Sequence, residues 1–467
     1  MMAGLNQQFL RQLGAFATIG VIFAGLAIKG ADGAALAALL AAALASLLAI
    51  ALLVYPAGAL AEAARRNLIS IAAAGLFCAW ALFTAWPIAA DAAPAWLKAL
   101  WHPFWAAFGT ERGAISLSPY RTLEGLAAFA APVAAFALGS ITTTDRAERD
   151  RAARLFTAGA IAIAGLSLAL HANGVAQQAG RLSGAFNSPN SAATLFGALT
   201  LILAALVLRA ARGRLTGAKR TSAQAYSRWM AIAYATPVTI GALALTLACL
   251  FLTGSRAGIT SLLGAFLLFF ALVLPASDAP RVFGVRLNAL VWIIAAMVGV
   301  LLLVGGDFLM SRADSVGADA ADRRQMITTH WQAFLERPVF GHGLNTFHEI
   351  NLAHTNTDNW GALHTIGAAH NIFVQMLEEN GVFGALLFGL MLGPPLWRAL
   401  TIARTQSSGA EYAAAVVAAF FFAFMHGLVD FGLQVPATGA LFAFALGAFS
   451  GRVESPVAAA AEQPAPA

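Results

Sequence analysis

Long apolar stretches follow one another along this chain, separated by short polar breaks, and that rhythm leaves few folds open to it. A helix needs roughly 20 apolar residues to cross a bilayer. By that criterion about twelve stretches qualify, near 14–30, 35–55, 68–90, 122–142, 155–172, 190–209, 231–252, 258–275, 288–305, 371–395, 411–429 and 436–450. Hydrophobic residues make up 60% and charged residues 11%, whereas a soluble domain is about half apolar and a quarter charged. Ten-residue segments of alternating polarity are absent, which argues against a membrane barrel. The expected fold is all-α, a polytopic integral membrane protein. The first apolar run lacks a small-residue cleavage site ahead of a polar region, so it reads as an anchor and not a removed signal. Cys78 and Cys249 fall inside apolar runs and read as small core residues, not as a disulfide or metal pair.

Residues 1–450 read as a single transmembrane domain. Residues 305–370 form one large polar loop within it, and the Ala/Pro-rich tail 451–467 reads as disordered. The stretch 96–113, with its tryptophans and scattered charges, suits a segment lying in the membrane interface. Arg11, Arg65, Arg66, Arg146, Arg149, Arg151, Arg154, Arg209 and Arg398 fall in alternate loops. The positive-inside rule assigns those loops, the tail and both termini to the cytoplasm. The net charge of +6 is mostly this topology signal, so the basic balance does not call for a nucleic acid.

The informative arginines are those on the other side: Arg112, Arg121, Arg181, Arg256, Arg312, Arg323, Arg324 and Arg337. Arg181 lies in GRLSGAFNSPNSAATL, just before a span, and Arg256 in the short turn TGSRAG, where Gly and Ser would have sufficed. A guanidinium is a planar fork of donors matched to phosphate oxygens. Several of them at one membrane face would hold a diphosphate. Ion pairing with Glu124, Asp314 or lipid headgroups is the plainer alternative. His370 stands where the polar loop re-enters an apolar run, and an ionisable group at that boundary marks a functional site by default; a helix-start surface histidine is the plainer reading.

Three sequence blocks resemble the O-antigen ligase and polymerase superfamily: Arg181, Gly184, Phe186 and Asn190 before a span; the turn Ser255 to Gly258; and His370, Asn371, Gln375, Leu377, Glu379, Gly381 and Gly384. Between them, the loop carries Arg323, Trp331, Pro338, Gly341 and Gly343 in a similar order. The resemblance covers residues 115 to 395, and the twelve-span layout is most like the bacterial O-antigen ligases. It implies a GT-C-like membrane glycosyltransferase in the bacterial inner membrane, its large loop and active site periplasmic. Such ligases move a polysaccharide from undecaprenyl diphosphate to a sugar of the lipid A–core. The implied partners are that donor, that acceptor and membrane lipids, with no nucleic acid, for a chain acting as a monomer. The implied chemistry needs no metal and no cofactor. The loop carboxylates Asp307, Asp314, Asp319, Asp322, Glu349 and Asp358 show neither D-x-D nor compact ligand spacing, although His342, His348, His354, His364 and His370 share the loop.

On this reading Arg181, Arg256 and one of Arg323 and Arg324 bind the diphosphate, with Arg323 favoured by its spacing to Pro338. His370 is the general base, because imidazole titrates near physiological pH. Direct displacement would invert the anomeric centre. Asn187, Asn190, Asn371, Arg312 and Arg121 are weaker substrate contacts, with at least one asparagine a helix cap. Trp331 could stack on a sugar or belong to a small loop core. Glu379 reads as structural or as the partner of a buried arginine, and the four-residue spacing of His426 and Asp430 reads as a mutual pair. A polymerase or protein O-oligosaccharyltransferase would use the same donor site. A lipid or anionic-solute transporter, the reading from another class, should show mid-membrane charge and related halves; neither is evident here.

Overall fold

The computed structural model describes residues 2–107, 109–175, 177–178, 180–215, 236–273, 316–405 and 409–451. Helix α1 (Met2–Ala27) leads through a single 3-10 turn into α2 (Ala34–Val54), a short α3 (Ala57–Arg66) and α4 (Leu68–Ala85). The stretch 86–118 holds two small helices, α5 (Ala95–Lys98) and α6 (Pro103–Ala107), inside a two-residue hairpin of β1 (Ile88–Ala89) and β2 (Arg112–Gly113). Then come α7 (Pro119–Thr142) and α8 (Arg146–Ala172), a second hairpin of β3 (Gln177–Gln178) and β4 (Arg181–Leu182), and α9 (Pro189–Leu215). Helices α10 (Pro237–Leu252) and α11 (Arg256–Val273) follow. The large loop contributes α12 (Val316–Glu336), α13 (Phe347–His354) and α14 (Trp360–Leu363). The chain closes with α15 (Ile372–Arg404), α16 (Ala410–Gly427) and α17 (Pro436–Phe449).

Eight described helices are long and apolar enough to cross a membrane: α2, α4, α7, α8, α9, α11, α15 and α16. Three more, residues 12–27 of α1 together with α10 and α17, are apolar but shorter. Eleven of the twelve expected stretches thus fall on helices. The twelfth, 288–305, lies outside the described residues, as do Arg312, the first part of the expected loop (305–315) and the tail 452–467. The starts follow local rules. Proline occupies the first turn of α7, α10 and α17, where its missing N–H costs nothing. Asp145 and Glu148 close a reciprocal capping box on α8.

Helices α9 and α16 are the most enclosed, whereas α2 turns Leu39, Ile50 and Leu53 outward, as a lipid-facing helix does. With no hydrophobic drive between helices in lipid, close backbone approach matters more. A Cβ at Gly139 of α7 would collide with the Phe444 carbonyl of α17, and one at Gly447 with the Phe136 carbonyl. At that end Arg66, Arg149 and Arg398, drawn from three of the arginine-rich loops, meet. Arg66 donates to the Ser140 carbonyl, Arg149 to those of Thr143 and Gly451, and Arg398 to those of Ser450 and Arg66. They satisfy carbonyls that the ends of α3, α7 and α17 leave without helical partners.

The opposite end holds the large loop. Helix α15 breaks at Gly381 (φ 62°, ψ −174°), and residues 338–343 pair with the opened turn. The N–H groups of His342 and Gly343 donate to the Glu378 and Glu379 carbonyls at 2.9 and 2.8 Å, and those of Val382 and Phe383 to the Pro338 and Val339 carbonyls at 2.8 and 3.2 Å. The approach leaves no room for a Cβ at Gly341 or Gly381, which would meet the Glu379 and Val339 backbones. Arg337, one of the exceptional arginines, is structural. It donates to the Leu100, Trp101 and Gly341 carbonyls, fastening the 86–118 segment to the loop. Beside it His102 Nε2 and His342 Nδ1 lie 2.9 Å apart. Burial first holds both rings below the usual imidazole range; His342 and the Arg337 charge add to it for His102, which falls to about 3, and for His342 the Arg337 charge adds to it against the Ala333 carbonyl. Replacing Gly381 with Ala is expected to destabilise the protein by about 3 kcal/mol or more, through the positive φ and the backbone collision together. Gly389→Ala, in the same helix with open space around it, is expected to be neutral or stabilising by about 1 kcal/mol. Thermal unfolding of both variants in lipid nanodiscs checks the contrast.

Candidate active site

The motif that ends the loop explains itself residue by residue. Asn371 caps α15, its Oδ1 accepting from the Phe373 and Val374 N–H groups at 3.0 and 3.1 Å, while its Nδ2 donates to the Leu428 carbonyl. Gln375 accepts from the Ala369 N–H and donates to Glu379. Glu379 in turn accepts from the Asn345 N–H at 2.8 Å. Its partners are the Gln375 amide and the Asn345 and Phe347 N–H groups, which fit the structural one of its two expected roles; among the described residues no arginine pairs with it. Glu378 beside it is buried against His330, Nδ1 to Oε2 2.7 Å, with Phe347 packed over the ring. These contacts clamp the chain on both sides of His370.

His370 itself has φ 51°, a conformation that a side-chain-bearing residue adopts only when its surroundings impose it. The ring lies edge-on to Phe431, centroids 5.2 Å apart. Its Nδ1 is buried without a hydrogen-bond partner. Burial, reinforced by the Arg323 charge, lowers the imidazole to about 4, so the ring is neutral and able to accept a proton at neutral pH.

Arg181 is held rigidly. Its Nε donates to the Thr253 carbonyl at 2.6 Å and its Nη2 to Asn190 Oδ1 at 2.8 Å. Those two bonds bring the hairpin, the first turn of α9 and the turn before α11 together. Arg256 opens α11 with its side chain exposed and, among the described residues, without a polar partner. Arg323 and Arg324 diverge around α12. The charge of Arg323 acts on His370, His426 and Asp430, while Arg324 lines an outer cleft with Thr328 and Asp358.

His426 and Asp430 do not pair. Helix α16 ends at Gly427, so the four-residue spacing carries them apart. His426 lies between Thr194 Oγ1 (2.9 Å) and Ser255 Oγ (3.2 Å), tying α9 and the turn before α11 to α16. Asp430 accepts from the Gly432 N–H at 2.8 Å, and its other oxygen is buried and unpartnered. Burial lifts its carboxyl to about 6, against the pull of the Gly432 and Phe431 N–H groups and the Arg323 and Arg181 charges. Asp430, Thr194 and Phe431 were not among the residues singled out for a site. The signals for Asp430 were its four-residue spacing from His426 and its place, as an ionisable group, at the end of an apolar run.

The weaker candidates scatter. Arg121 is engaged by Glu349 (2.9 Å) and Glu124 (3.0 Å), the plainer alternative for an arginine on this side. Asn187 donates to Asp32 at 2.6 Å. Trp331 is 43% exposed beside Phe334, whereas Phe347 is core. The loop histidines do not cluster: His342 meets His102, His354 meets Glu336, and His364 stacks on Trp360. Among the described residues, no three His, Cys, Asp or Glu side chains are grouped to hold a metal ion.

What these parts can do together is bind a polyanion against a fixed and an exposed arginine, beside a neutral imidazole with a vacant nitrogen. No curated protein matches the chain. Residues 241–389 match the family model described as O-antigen ligase. That segment runs from α10 past the turn with Arg256, through the loop with Arg323, to His370 and the break at Gly381. Over that segment, this multi-pass membrane chain is similar to the O-antigen ligase family.

Proposed function

We propose that the chain is an O-antigen ligase of the bacterial inner membrane, GT-C-like in layout, which transfers a glycan from undecaprenyl diphosphate to a lipid A–core sugar on the periplasmic side. The observation that carries this reading is the convergence of Arg181 and Arg323 on Asp430, with Arg323 acting on His370 as well and Arg256, unpartnered among the described residues, on the turn whose Thr253 carbonyl holds Arg181. The diphosphate rests between the three guanidinium groups. The first turns of α9 and α11 add partial positive charge where it develops. The acceptor hydroxyl oxygen forms a bond to the anomeric carbon. The bond from that carbon to the diphosphate oxygen breaks, the electron pair leaves with the diphosphate, and the hydroxyl proton passes to His370. Attack opposite the leaving group inverts the centre. The arginines stabilise the leaving charge as it grows. A dianion beside Arg323 also offsets the cationic field at His370, raising its proton affinity when substrate is bound. Asn190 positions Arg181, and Asn371 fixes the backbone that carries His370. Arg121 and Asn187, engaged elsewhere, have no part in the step.

Purified protein in nanodiscs with EDTA, lipid-linked donor and a rough lipid A–core acceptor provides the test. Glycan appearing on the core is expected with wild type, with a loss of about 10²–10⁴ in kcat for His370→Ala and about 10²–10³ for Arg181→Ala. Arg323→Ala is expected to lose more than Arg324→Ala. Lengthening of the donor without core modification would make the chain a polymerase, and no turnover with either would return the transporter reading to the front.

The pH profile is a separate check. His370 must be unprotonated to act, and the free protein holds it at about 4. The kcat/KM of transfer is therefore expected to stay level from roughly pH 8 to pH 5, with its acid limb below the ordinary histidine range. A limb centred near 6.5 would remove this assignment.

A further inference from the structure

The large loop carries a recess that the transfer step does not use. It is a cleft of about 420 Å³, within the ~300–1,000 Å³ common for small-molecule sites. One wall is α12, with Arg324, Thr328 and Thr329, and the other is the turn between α13 and α14, with Asn356 and Asp358. That turn is stiff. The Asp358 and Asn359 N–H groups both donate to Asn356 Oδ1, Asn359 Nδ2 donates to the His354 carbonyl, and Gln325 Nε2 crosses the cleft floor to the Asp358 carbonyl at 3.0 Å. The framework therefore uses backbone groups and asparagine amides. The Arg324 guanidinium, the Asp358 carboxylate and the Thr328 hydroxyl are exposed and, among the described residues, without side-chain partners. A cation and a carboxylate share the recess without forming an ion pair. The residue after Asn359, Trp360, is 58% exposed and stacked on His364 at an interplanar angle of 11°, a flat aromatic plate.

Carboxylate, guanidinium and hydroxyl groups facing each other over open space, next to an exposed aromatic plane, match the vicinal hydroxyls and apolar ring face of a sugar. We propose that this cleft is a saccharide subsite, holding a sugar of one glycan substrate a few units away from the bond being made. The inference rests on the glycan-transfer reading. Arg323 and Arg324 are neighbours on α12, about 100° apart around its axis, so cleft and reaction centre adjoin adjacent faces of one helix roughly 10–12 Å across. A short run of sugars reaches round that distance.

The test is binding and turnover measured separately. Lipid-free core oligosaccharide and lipid-free donor repeat are each titrated into protein in nanodiscs by saturation-transfer NMR. Comparison is with Asp358→Ala, with Thr328→Ala and with Asp358→Asn, which keeps the side chain's shape. Both side chains are exposed and bond to no described residue, so the variants are expected to unfold at the wild-type temperature. One of the two sugars is expected to bind wild type and to lose at least tenfold in affinity in the variants, and its identity says whether acceptor or donor occupies the cleft. KM for that substrate should rise by the same factor with kcat little changed. Binding of neither sugar to wild type, or equal binding and equal KM in the variants, overturns the subsite. Cleft-dependent binding without any wild-type transfer would sink the ligase reading and leave the cleft standing.

Discussion

The rest of the molecule hangs on one opened turn. At Gly381 the helix Ile372–Arg404 interrupts its own hydrogen bonds, and in an apolar surround each freed backbone group must find another partner. Residues 338–343 supply those partners, so the break serves as the dock for the large loop. Helix Val316–Glu336, and Arg323 with it, has its place because its C-terminal continuation is stitched to the opened turn. Glu379, one turn beyond Gln375 in His370's own clamp, reaches the Asn345 backbone from the same dock. Anchoring and placement of the reactive groups are thus one interaction.

Charge is handled differently at the two ends of the bundle. At the end of Arg66, Arg149 and Arg398 the guanidinium groups are consumed by helix carbonyls and leave little for a ligand. At the loop end Arg337 is consumed in the same way and Arg121 by carboxylates, but among the described residues Arg256, Arg323 and Arg324 have no hydrogen-bonded or ion-paired partner. The arginine count on a face therefore says less than where each fork is spent.

Much of this was legible in the sequence, because hydropathy reports solvent directly. Eleven apolar stretches fell on helices, and the motif residues around Arg181, Ser255 and His370 meet at one end. What was illegible depends on distant backbone. No pattern shows that Arg181 would bond the Thr253 carbonyl, that Glu379 would hold the Asn345 N–H, or that Gly381 would open a helix. The His426–Asp430 spacing misled because periodicity holds only while the helix lasts, and this one stops at Gly427. Arg323 and Arg324 were inseparable by sequence, since their difference is the direction each takes around one helix.

The shortness of Pro436–Phe449 has a consequence of its own. Fourteen residues at about 1.5 Å each reach about 21 Å, against a hydrocarbon slab of about 30 Å. Its C-terminal end is pinned by arginines, which settle at headgroup depth. The shortfall of about 9 Å must then appear at the other end, beside Phe431 and Asp430. The residues between Asp430 and Pro436 then cross the remaining depth, or the leaflet thins locally to meet the helix. A substrate tethered to a lipid tail reaches that depth sideways, by lateral diffusion, its phosphates never leaving the membrane's edge. A substrate free in water would have to sink to reach the same depth.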